Sequence, residues 1–234
     1  MTDHAPALSD DQSSVPDAAQ HAAPWVAFVA LLLALFPAAI IAIELALLYA
    51  IVSRPGIPLF LALCIAPYLV PLLAFRILNA ITPLKEGRSI LTKQTYSSWV
   101  GAYRLQHLYI LFPFLESVLH AVPGLYSFWL RAWGSKIGKN VIWGGTATIT
   151  DRSMLVIGDD VFVGNLVYMS PHVVNPTREH LLLYLKKIRI GSSVFIGAGS
   201  RLGPGAVVHD NSFVPILTDL YLNEHFPPAS KPNE

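Results

Sequence analysis

The chain has a single cysteine, few charges and no cluster of basic residues. Cys64 stands alone, which excludes an internal disulfide and a thiolate metal site. It lies in an apolar run and reads as a small hydrophobe against lipid or a neighbouring helix. Charged residues make up 13% of the 234 positions and the formal net charge is +1. The electrostatic footprint of a phosphate-backbone binder is therefore missing, and no nucleic-acid partner is expected. Lys and Arg are absent from the first 24 residues, which carry Asp3, Asp10, Asp11 and Asp17. Without a basic n-region this stretch is not a secretory signal and is expected to be a disordered tail.

Apolar residues take the place of charge, at 53% of the chain. Residues 25–52 contain one charged side chain, Glu44, and are long enough to cross a hydrocarbon core of about 30 Å at about 1.5 Å per residue. After the polar turn Ser53-Arg54-Pro55-Gly56, a second run, residues 57–81, contains Pro67 and Pro71. Such prolines kink a membrane helix without ending it. A transmembrane helical hairpin over residues 25–83 is expected. Arg76, Lys85, Arg88 and Lys93 follow the second run whereas the turn offers only Arg54, so both termini are expected in the cytoplasm. Glu44 is expected at a helix contact near the depth of Tyr68, since an ionised carboxylate facing lipid is costly. Residues 84–133 interleave aromatics and Leu with Arg104, Glu116, His120 and Arg131. They read as interfacial amphipathic helices broken near Pro113 and Pro123.

Beyond residue 136 the chain counts in sixes. Ile157-Gly158, Val163-Gly164 and Met169 are six apart, with Val161, Val167 and Val173 four places after each. Ile190-Gly191, Ile196-Gly197, Leu202-Gly203, Val208 and Val214 resume the count, with Val194, Ser200, Ala206 and Ser212 at the fourth step. An earlier frame through Ile137-Gly138, Trp143-Gly144 and Ile149 is offset by two residues before Ile157. A period of six fits neither a helix nor an ordinary strand. It fits a solenoid of short strands and tight turns, each aliphatic pointing inward and each Gly allowing the bend.

The segments KIGKNV, TITDRSMLVIGDDVFVG and IRIGSSVFIGAGSRLGPGAVV resemble the hexapeptide-repeat acyltransferases. The step from Asp151 to Asp159 is similar to membrane-associated members such as the terminal region of poly-lysine-synthase-like peptide synthetases. The resemblance implies an α + β chain: a disordered tail at 1–24, the hairpin, the interfacial helices, a short left-handed parallel β-helix over 134–218, and a C-terminal tail at 219–234. It also implies a homotrimer, a thioester donor (acetyl-CoA, acyl-CoA or a carrier-protein thioester), and a hydroxyl or amine acceptor held at the membrane. The location implied is the inner, cytoplasmic membrane, with the β-helix in the cytoplasm.

The frame breaks between Val173 and Ile188, so residues 174–187 are expected as an extruded loop, the usual place for a site on a rigid scaffold. The resemblance implies a histidine general base at its edge, since attack on a thioester requires a proton to leave and imidazole titrates near neutral pH. His172, at the end of the coil, matches the membrane-associated subgroup; His180, deeper in the loop beside Glu179, matches soluble sugar acetyltransferases. On the donor side the resemblance implies Gly197 and Ala198 along the pantetheine arm. Lys186, Lys187, Arg189 and Arg201 are candidates for the cofactor phosphates. Carbonic anhydrases on the same solenoid use three histidines, but His172, His180 and His209 do not match that spacing, and no metal is expected. Modification of a soluble saccharide precursor and a non-catalytic trimerising scaffold are the alternatives.

Overall fold

The computed structural model describes residues 24–92, 96–177 and 180–227. The expected N-terminal tail before Pro24, Lys93, Glu179 and residues 228–234 lie outside the described residues. Two long apolar helices, α1 (Pro24–Ser53) and α2 (Ile57–Ile81), form an antiparallel hairpin. A short strand β1 (Gly87–Leu91) follows, then α3 (Ser98–Leu111), α4 (Phe114–Leu119) and α5 (Leu125–Trp133). The breaks fall at Pro113 and just after Pro123. Ser97 caps α3 by accepting from the Val100 amide, and Gly124 and Gly134 flank α5 in the left-handed conformation.

These three helices form a collar packed against the hairpin. Tyr109 and Tyr68 donate hydrogen bonds across the contact to the Pro67 and Leu115 carbonyls, each at 2.8 Å. Phe75 meets Trp133 with ring centroids 4.8 Å apart. The expected pairing of Glu44 with Tyr68 does not form: the Tyr68 hydroxyl is taken by Leu115, and Glu44 Oε1 is buried without a partner. Both residues line an apolar cavity of about 580 Å³ between hairpin and collar.

The remaining strands are β2 (Lys136–Ile137), β3 (Ile142–Trp143), β4 (Thr148–Ile149), β5 (Leu155–Ile157), β6 (Phe162–Val163), β7 (Tyr168–Met169), β8 (His172–Pro176), β9 (Leu181–Leu185), β10 (Ile188–Ile190), β11 (Phe195–Ile196), β12 (Arg201–Leu202), β13 (Val207–Val208), β14 (Phe213–Val214), β15 (Asp219–Leu220) and β16 (His225–Phe226). All but β8 and β9 stack into three parallel sheets, ordered β16-β13-β10-β5-β2, β14-β11-β6-β3 and β15-β12-β7-β4. This is the parallel β-helix that the six-residue period predicts. Ile157, Val163, Met169, Ile190, Ile196 and Leu202 are buried along its axis, joined by the fourth-step Val161, Val167, Val194, Ala206 and Ser200. The ladder runs on through His225–Phe226, eight residues past the expected boundary at 218.

Two local readings change. The glycine after each aliphatic is not the bend: a Cβ on Gly158 would lie 2.4 Å from Ser192 Oγ, and one on Gly197 would lie 2.4 Å from the Ile216 amide nitrogen. These glycines let adjacent coils touch. The left-handed corners fall two residues later, at Asn140, Asp160, Ser193 and Asn211. Among the described residues, 174–177 and 180–187 form no open loop either: β8 and β9 pair as an antiparallel hairpin, and β1 adds a third strand to its far edge. Val173, counted with the core by its spacing, is exposed in this hairpin because it has left the coil.

Candidate active site

Both departures from the six-residue frame occur at one corner of the solenoid, between the third and first sheets. The two extra residues before β5 place Asp151 and Arg152 there on the first coil. One coil along, the chain leaves for the β8–β9 hairpin, and His172 is its first residue. Stacking brings His172 Nδ1 to 2.5 Å from Asp151 Oδ2. The carboxylate is buried, with 1% of its side chain exposed, whereas His172 retains 16%.

The Asp151 carboxylate is held from two further directions. Thr150 Oγ1 donates to Oδ2 at 2.8 Å, and the Trp99 indole donates to Oδ1 at 2.9 Å. Trp99 and Tyr103, one turn apart on α3, pack their rings on the His172 imidazole at 4.6 and 6.0 Å between centroids. Burial, and next the Asp151 charge, raise the Tyr103 phenol above its ordinary value, so it stays a neutral hydroxyl near neutral pH.

Beside this pair the collar and coil enclose a cavity of about 360 Å³ lined by Tyr103, Tyr109, Glu116, His120, Thr150, Arg152, Tyr168 and His172, among others. Its floor is ionic. The Arg152 guanidinium bonds both Glu116 oxygens, at 2.7 and 2.5 Å, with only 2% of its side chain exposed. Gln106, fully buried, accepts from the Arg152 amide at 2.8 Å, and the Tyr109 ring centroid lies 4.8 Å from the guanidinium carbon. Burial works against the charge on Arg152, but Glu116 outweighs it and holds the guanidinium charged. Burial raises the Tyr126 phenol well above its ordinary value. Its ring packs on His120 at 4.1 Å, and His120 Nε2 is buried without a partner.

Of the two candidate histidines, only His172 reaches this cavity. His180 is at the far end of the hairpin, where its amide and carbonyl bond Thr177, about five strand residues or roughly 16 Å from His172. His209 faces His225 instead, with ring nitrogens 3.3 Å apart.

The donor-side candidates fall into separate groups. Gly197 and Ala198 lie at the corner between the second and third sheets, on the same column as Gly145 and Thr146 of the cavity wall. Arg201 sits one coil below Tyr168 of the cavity but is bound by both oxygens of Asp219. Lys187 and Arg189 belong to the first sheet's side and approach Glu86 at 3.8 and 4.0 Å. The Lys186 ammonium donates to Asn223. Asp151, Glu116 and Arg152 were not singled out as site residues by spacing. The two-residue offset in the frame marks the corner that carries Asp151 and Arg152, whereas Glu116 arrives from a helix 36 residues away.

No family model matches this sequence, and no curated protein matches it. Solved structures similar in fold include the following three. A hexapeptide-repeat-containing acetyltransferase from Vibrio cholerae is 14% identical over 50% of this chain and 83% of its own, with a TM-score of 0.38. A maltose O-acetyltransferase from Clostridium difficile is 15% identical over 50% and 75%, with a TM-score of 0.34. Serine acetyltransferase isoform 3 from Entamoeba histolytica, in complex with cysteine, is 13% identical over 71% and 72%, with a TM-score of 0.31.

Proposed function

We propose that the protein is a membrane-anchored acyltransferase, moving an acyl or acetyl group from a thioester to a hydroxyl or amine of an acceptor at the membrane. The observation that carries this reading is the contact between His172 Nδ1 and the buried Asp151 carboxylate at the edge of the cavity. A carboxylate there fixes the tautomer with the proton on Nδ1, which leaves Nε2 as the basic nitrogen. Nε2 takes the acceptor's proton as its oxygen or nitrogen attacks the thioester carbonyl. The carbon–sulfur bond then breaks, and the imidazolium returns the proton to the departing thiolate. Asp151 offsets the transient positive charge on the ring.

The donor is acetyl-CoA, an acyl-CoA or a carrier-protein thioester, its arm lying along the corner column through Thr146 and Ala198. The chain acts as a homotrimer on the cytoplasmic face, anchored by α1 and α2. The anchor favours a membrane-held acceptor because the apolar cavity of the hairpin and the reaction cavity share α4 as a wall: Leu115 and Val118 face the first, Glu116 and His120 the second.

In the purified full chain, thioester consumption with acetyl-CoA and hydroxyl or amine acceptors is expected to fall by about 10² to 10⁴ in His172→Ala, with assembly retained. Asp151→Asn is expected to lower turnover as well, and His180→Ala to leave it nearly intact. Normal turnover in a folded His172→Ala protein would remove the assignment.

A further inference from the structure

Each helix of the hairpin is long enough to cross a bilayer, yet the rest of the molecule packs beside them rather than at their ends. Tyr109 makes the geometry explicit. Its ring lines the reaction cavity and packs on Arg152, while its hydroxyl bonds the carbonyl of Pro67 in the middle of α2. The centre of α2 is therefore one side chain from a buried ion pair and from the cavity that, on the proposed function, a water-borne thioester enters. Past that level α2 has ten residues left towards the turn, about 15 Å, and α1 has thirteen beyond the buried Ile40, about 20 Å. Neither length crosses a hydrocarbon core of about 30 Å. An upright hairpin would leave Arg54 near the bilayer centre, where an arginine is strongly disfavoured.

The faces of the helices resolve this. On α2, Pro67, Pro71 and Phe75 are buried against the protein. On the opposite side Ile65, Leu69 and Leu73 are exposed, and towards the turn exposure extends right round the helix to Ile57, Phe60 and Leu61. On α1, exposed apolar side chains run likewise from Trp25 to Val52. The hairpin has the collar on one face and an apolar surface on the other, and towards the turn it is apolar on all sides.

We infer that this hairpin lies lengthwise in a single leaflet, its collar face toward water, and does not cross the membrane. Its occupant is the acyl-chain layer of that leaflet. The tip residue Arg54 returns to the same headgroup layer as Arg76, Lys85 and Arg88, which suits the reach of a basic side chain to the interface. The inference goes beyond the proposed chemistry, and its test needs no turnover.

In the full chain carrying Cys64→Ser, a cysteine is placed at the tip (Ser53→Cys) or at the base (Lys85→Cys). Sealed membrane vesicles of both orientations are then treated with a membrane-impermeant maleimide. Both positions are expected to label from the same face. Labelling of the tip only from the opposite face, or only after detergent, overturns the proposal. In the same background, Leu69→Cys carrying a fluorophore is expected to be quenched by lipids brominated on their acyl chains. An intermolecular disulfide in the unlabelled Leu69→Cys protein, with no quenching of the labelled one, would make the stripe a subunit contact and overturn the proposal equally.

Discussion

At the scale of single residues, the solenoid depends on positions where a side chain cannot exist. A Cβ on Gly197 would fall 2.4 Å from the Ile216 nitrogen and 2.5 Å from the Pro215 carbonyl carbon, and backbone in the next coil has no rotamer with which to yield. Gly197→Ala is therefore expected to destabilise the protein by about 1 to 3 kcal/mol, as overpacking does, visible as a lower denaturation midpoint. A midpoint equal to wild type would show that the coils can spread. The aliphatic positions were legible in the sequence because every sixth residue meets the same axis. The purpose of the glycines was not, since spacing cannot distinguish a residue that turns the chain from one that admits its neighbour. His172 is singled out through the family resemblance, at the end of the coil beside the break in the frame, whereas Asp151 joins it only by stacking one coil over another.

At the scale of elements, α4 is a six-residue helix with unlike faces, and Glu116 fixes it to the solenoid. With its partner removed, Arg152 would be a charge in a protein interior. Glu116→Gln is expected to cost about 3 to 5 kcal/mol, measured by chemical denaturation in detergent. Glu116→Gln combined with Arg152→Met is expected to recover much of that loss. If the single variant melts like wild type, the pair is incidental. Sequence reading placed the breaks around α4 correctly, because proline and glycine act locally. It missed β1 and the β8–β9 pairing, since Gly87–Leu91 forms a strand only by virtue of an edge that β9 presents from about a hundred residues away.

At the scale of the whole molecule, the second sheet's outer surface is the feature a lone chain leaves unsatisfied. Phe162, Phe195 and Phe213 stack at 5.0 and 4.9 Å with nearly parallel rings, beside exposed Ile142. Contiguous exposed apolar surface of this kind marks an interaction face. The protein in detergent is expected to have the mass of three chains after correction for bound detergent, and Phe195→Glu to lower it. A monodisperse wild-type monomer would contradict this. The excursion that carries His172 has a separate consequence for how such a protein can be altered. The ladder resumes in register across it, Met169 pairing with Leu202 and Ile157 with Ile190 as though nothing intervened, and lengthening a loop whose ends are already fixed costs little. The coil thus accommodates the excursion, yet the hairpin is not free to be exchanged: Leu183 and Leu185 are buried with Trp99 and Met154, so β9 is part of the packing that holds the Trp99 ring on His172.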